Sequence, residues 1–104
     1  MIIEKTYFRI GSVIKSKKIE LAVEANPTFY FFILQCINRH KGNDWGDCSE
    51  ENWTKNDDAA FNNKIIHSEY NLPKGLTSID VESTILIISN QVEEVTHVIF
   101  SSEK

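Results

Sequence analysis

Six carboxylates fall within one short stretch, Asp44, Asp47, Glu50, Glu51, Asp57 and Asp58, and they surround Trp45 and Trp53. Such density could hold calcium, but the spacing does not fit. Counted from Asp47, the sixth position is Asn52, where an EF-hand needs glycine, and the twelfth is Asp58, where it needs a long bidentate Glu. Cys36 and His40 stand four apart on one helix face, and Cys48 with His67 could complete a set of four zinc ligands. That spacing follows no familiar finger, and Cys36 lies in the most apolar stretch, as a core cysteine would. His67 and Glu69 alternate along a strand, the arrangement of a base with an orienting carboxylate. Cys48 sits among acids, which raise a thiol pKa and so oppose nucleophilic chemistry. The sequence therefore assigns no catalytic residue, no metal ligand and no cofactor. A small metal-dependent or hydrolytic enzyme built on Asp44, Asp47 and His67 is the alternative.

The loop itself has two readings. In the structural one, Asp side chains cap turns, Gly46 supplies positive φ, and Trp45 fills the core while its indole N–H finds an acceptor. In the functional one, a rigid acidic unit presents an aromatic to a protein partner through Asp44, Trp45, Asp47, Glu50, Glu51, Asp57 and Asp58.

These residues must be held by a small scaffold. The chain has 104 residues, 41% hydrophobic and 25% charged, which suits one globular domain and leaves no room for a Rossmann-type methyltransferase, a kinase or an α/β-hydrolase. A formal net charge of −4 gives no overall attraction to nucleic acid. The charge is uneven: +4 up to Lys41 and −8 beyond it. Lys15, Lys17 and Lys18 with Arg9 form only a small basic patch, without a recognition-helix pattern. Phe29 to Leu34, the longest apolar run, is far short of the ~20 residues of a membrane span. The N-terminus MIIEKTYFRI turns polar at once, unlike a signal peptide, so a cytoplasmic location is expected.

Residues 6–14 alternate as a strand, with Phe8, Ile10, Ser12 and Ile14 on its buried face. Ser16 caps a short helix that ends at Asn26-Pro27, and Pro27 opens a second, PTFYFFILQCINRHK, apolar nearly all round. Its Phe29–Ile37 stretch could also serve a homodimer. Gly42 suits a left-handed cap. Ser49 caps a third helix running to about Phe61, with Trp53, Ala60 and Phe61 inward. Strands follow at 64–70, 83–89 and 96–102, the second apolar enough to be central, with a turn at Pro73-Lys74-Gly75. The order β-α-α-α-β-β-β predicts an α+β domain over 1–104: an antiparallel sheet of about four strands with about three helices packed on one face.

Asp44-Trp45-Gly46-Asp47, then Glu50, Glu51, Asn56 and Asp57, then Ile65-Ile66-His67-Ser68-Glu69-Tyr70 resemble a family of short proteins carried by plasmids, phages and other mobile elements. That family shares a GDWGD loop, an acidic helix with an Asn-Asp pair, and a strand reading roughly R-L-L-S-A-Y. Ile87-Ile88-Ser89-Asn90 and Thr96 to Phe100 match its later strands more loosely, and the resemblance spans about Ile10 to Phe100. Asn90 stands where the family has an acid, and no arginine follows. Members often carry the label of type I restriction methyltransferase subunits, which this chain is too short to be; it also lacks a glycine-rich cofactor loop. The family's biochemical function is unassigned. The acidic, Trp-bearing loop-helix unit, the over-apolar second helix and the lack of a catalytic constellation lead to the expectation of a small acidic accessory protein that binds a protein partner. The resemblance to mobile-element proteins makes a host defence nuclease complex the candidate partner, with an anti-restriction or anti-CRISPR role.

Overall fold

The computed structural model describes residues 8–73, 76 and 84–104. The order is β1 (Ser12–Lys15), α1 (Lys17–Ala25), α2 (Pro27–Lys41), α3 (Glu50–Phe61), β2 (Ile66–Asn71), β3 (Thr84–Asn90) and β4 (Val95–Phe100), with a closing 3-10 turn at Ser101–Glu103. The fold is α+β. Its caps are the expected ones: the Ser16 and Ser49 hydroxyls accept from the N–H groups of Ile19 and Asn52, and the Asn26 side chain accepts from Thr28 and Phe29. Gly42, at φ −90, is no left-handed cap; Asn43 takes the positive φ instead, at 63.

The four strands lie in the order β1-β4-β3-β2. Pairing is antiparallel for β2–β3 and β3–β4, but β1 runs parallel to β4, so the sheet is mixed rather than wholly antiparallel. A hairpin dictates antiparallel pairing for neighbours in sequence; β1 meets β4 across nearly the whole chain, and no turn dictates its direction. The first strand is also shorter than its alternation predicts. Gly11, at φ 62, breaks the extended run, so Phe8 leaves the sheet to pack against His40 and Trp45, and Ser12 and Ile14 end up exposed. Tyr7 and the Lys74-Gly75 part of the expected turn lie outside the described residues.

One sheet face carries the core. Ile85, Ile87, Val98, Phe100 and Tyr70 from the strands meet Phe29, Ile33 and Cys36 from α2 and Ile19 and Ala22 from α1. In α2 the inward set is Phe29, Ile33, Cys36 and His40, a helical stripe. Beside β2, α3 packs Ala59 and Ala60 with Trp45 and Ile66 as a second cluster. Phe61 does not join them. It lies one helical step past Ala60 and is 76% exposed, contrary to the inward position expected of it.

Candidate functional site

The Asp-Trp-Gly-Asp loop lies along β2, the strand at one margin of the sheet. An edge strand carries outward N–H and C=O groups that need partners. Here each outward residue has one. The Asn56 carboxamide imitates a peptide group, accepting from His67 N–H (3.0 Å) and donating to His67 C=O (2.7 Å). Trp45 C=O accepts from Glu69 N–H (3.1 Å), and Asp47 N–H donates to Glu69 C=O (2.6 Å). The Asp47 carboxylate then accepts from Asn71 N–H at 2.9 Å. Gly46, at φ 82, makes this approach feasible, since a Cβ there would fall on the Glu69 carbonyl and the Tyr70 ring.

The remaining motif residues lock the loop. Asp44 takes a two-pronged ion pair from Arg39 (2.8 and 3.2 Å) and a bond from Gly46 N–H. The Arg39 hydrogen bonds hold the Asp44 carboxyl below its usual pKa. Tyr70 OH donates to Asp44 C=O, and Arg39 stacks over the Tyr70 ring at 4.9 Å. Trp45 is fully buried, and its indole N–H donates to Asp57 at 2.9 Å. Trp45 is thus the plug of the second core cluster, as the structural reading of the loop has it, and its ring is not presented at the surface. Asp44, Asp47 and Asp57 act through these bonds. Glu50, Glu51 and Asp58 stay exposed on α3, with Glu51 paired to Lys55 and Asp58 to Lys64.

The other polar constellation is inside the core. His40 is fully buried with Nδ1 2.5 Å from Ser68 Oγ and Nε2 2.8 Å from Ser89 Oγ. Ser89 Oγ lies 2.6 Å from Thr96 Oγ1, and Thr96 donates to Ile10 C=O. That carbonyl can only accept, so Ser89 donates to Thr96 and His40 Nε2–H donates to Ser89; on a neutral ring Nδ1 is left to accept from Ser68. With no countercharge in the core among the described residues, the imidazole is held as the neutral Nε2–H tautomer. Burial pushes its pKa down to about 4, since nothing beside it compensates a charge. A Ser–His contact of this kind has the form of a nucleophile–base pair. Ser68, Ser89, Thr96 and His40 are all wholly buried, so no substrate reaches them, and the row joins α2 to three strands as a satisfied core network.

The sets proposed for metal or catalysis do not assemble. Among the described residues no three His, Cys, Asp or Glu side chains are grouped to hold a metal ion. Cys36 is a core side chain whose thiol is pushed up to about 12 by burial, and His40 is committed to its two serines. Asp44 and Asp47 are spent on the loop, bonded to Arg39, Gly46 N–H and Asn71 N–H. Cys48, His67 and Glu69 do line one cleft with Asn52, Lys55 and Lys104. There, burial raises the Cys48 thiol pKa and Glu69 adds to the shift, which keeps the thiol protonated.

Sequence reasoning missed two features. His40 sits eleven residues after Phe29 on the same helical stripe, and Ser68 and Ser89 fall at inward positions of their strands, so the buried network had a readable signal. Phe61 had one too, in its step past the Ala59-Ala60 pair. No family model matches the chain, and no curated protein and no solved structure matches it significantly. Among the described residues no helix is long and apolar enough to cross a membrane.

Proposed function

We propose that this chain is a non-enzymatic module that binds a basic surface of another protein through the outer face of α3. The observation that carries this reading is Phe61, 76% exposed and three and four residues after Asp58 and Asp57 on one helix face. An exposed aromatic on a helix face that also carries carboxylates supplies an anchor and a charge pattern at once. α3 holds Glu50, Glu51, Asp57 and Asp58, offset by Lys55 on the helix and Lys64 just beyond it, and the loop and Asn56 tie it to β2. The resemblance to mobile-element proteins points to a host defence nuclease, whose nucleic-acid channel is basic, as a partner of this chemistry. Capture of the partner on immobilised protein tests the reading. Phe61→Ser, folded by circular dichroism, loses the partner, and added salt weakens wild-type capture. Equal capture by wild type and Phe61→Ser contradicts it. Unchanged restriction and CRISPR cleavage at saturating protein removes the defence partner alone.

A second reading rests on α2. Its inner half is core, but Tyr30, Phe31 (67% exposed) and Leu34 face outward beside a groove lined by Phe32, Gln35, Asn38, Arg39, Pro73 and Leu76. Capture lost in Phe31→Ser and kept in Phe61→Ser identifies this face as the contact.

A further inference from the structure

The two margins of the sheet are treated in opposite ways. At β2 every outward backbone group from His67 to Asn71 N–H is met by Asn56, Trp45 or Asp47. At β1 the margin is open among the described residues. Ser12 N–H and Ser16 N–H donate to Glu94 and Val98 on the β4 side, so the alternate residues Val13 and Lys15 turn their N–H and C=O groups away from the sheet. Among the described residues neither has a backbone partner on that side. The strand is also apolar for an exposed one: Val13 is 38% and Ile14 47% exposed. Open, β-branched edges are templates for strand addition.

We infer that the free edge of β1 docks a second copy of this chain, β1 against β1 in antiparallel pairing, joining two four-stranded sheets into one. The register follows from which groups face outward. A two-fold axis midway between the two Ile14 residues, perpendicular to the sheet, sets Val13 opposite the partner's Lys15 and Lys15 opposite the partner's Val13. Both residues of each pair point outward, so four backbone hydrogen bonds form. The two Ile14 side chains then meet as a non-hydrogen-bonded pair, where side chains approach most closely.

The segment is compatible with itself in charge as well. Lys15 is its only charged residue, and in this register it faces valine rather than the partner's lysine. On the helix face Lys15 is held over the Tyr30 ring at 5.9 Å, which draws the ammonium away from the two-fold axis. Closure is built in. With β2 sealed, the described residues of each copy offer one free edge, so the assembly stops at two rather than growing into a fibre.

The test uses the full chain in a Cys48→Ser background, since Cys36 is buried. Ile14→Cys places the two thiols at the close pair, whereas Val13→Cys places them on a diagonal of roughly 7–8 Å between Cα atoms, too far for an unstrained disulfide. Under mild oxidation Ile14→Cys gives the cross-linked dimer at least about tenfold faster than Val13→Cys. Sedimentation shows wild-type mass rising with concentration, and Ile14→Lys, with unchanged circular dichroism, stays monomeric. A monomer at all concentrations to about 1 mM overturns the inference. So does faster cross-linking through Val13→Cys, or a dimer that Ile14→Lys leaves intact.

Discussion

Acid reaches the core of this protein through His40. The side chain is fully buried and neutral, with a folded pKa of about 4 against an ordinary 6.5. Between those values the unfolded chain binds a proton that the folded chain refuses, so stability rises with pH. The His40 contribution is fully present above pH 6.5, falls as the pH drops through the window, and is spent below about 4. A shift of this size corresponds to about 3 kcal/mol in all, and about 2 kcal/mol of it is lost by pH 5. That is a large fraction of the roughly 5–15 kcal/mol that stabilises a typical domain. Urea unfolding followed by tryptophan fluorescence at pH 7, 6, 5 and 4 gives the profile. His40→Gln is the reference, because a carboxamide keeps one donor and one acceptor for Ser68 and Ser89 but cannot titrate. His67, whose pKa burial also lowers, and all carboxylates are common to both proteins and cancel in the difference. The wild-type advantage over His40→Gln shrinks by about 2 kcal/mol from pH 7 to pH 5. Parallel profiles for the two proteins refute the buried neutral tautomer.

Three further outcomes follow from the sealed β2 edge and its loop. Asn56→Ala strips both partners from the His67 peptide groups and costs about 1–3 kcal/mol in urea unfolding, and Asn56→Asp costs more at pH 7 because a carboxylate then faces the His67 carbonyl. Gly46→Ala forces a side chain into positive φ and onto the Glu69 carbonyl, so it costs about 3 kcal/mol or more and lowers Tm accordingly; an unchanged Tm removes the close approach. In a Trp53→Phe background Trp45, buried and bonded to Asp57, resists acrylamide quenching, whereas Asp57→Ala leaves the indole N–H unpaired and raises the quenching constant.

Local features of the fold were readable because they depend on neighbours in sequence. Ser16, Asn26-Pro27 and Ser49 fix helix starts through side chain to backbone bonds a few residues long, and the continuous apolar run Ile85–Ile88 marks an inner strand. Long-range choices were not readable. The parallel pairing of β1 joins residues some 80 positions apart, and alternation alone says nothing of direction. The same limit governs the motif. Asp44, Asp47, Asn56 and Asp57 look like a ligand cluster along the chain, yet each is spent on a partner contributed by β2, Arg39 or Trp45. Phe61 was misplaced by a single helical step, enough to move a large aromatic from the core to solvent.

The binding surface is tested most directly by replacing Phe61 with the photo-reactive analogue benzoyl-phenylalanine and irradiating the folded protein in a host lysate. The acidic-helix account predicts a covalent adduct at position 61 with a protein that carries a basic surface, one that fades as salt is raised and is absent when the probe replaces Trp45. Irradiation that yields no adduct at position 61, while the same partner is still captured, contradicts it.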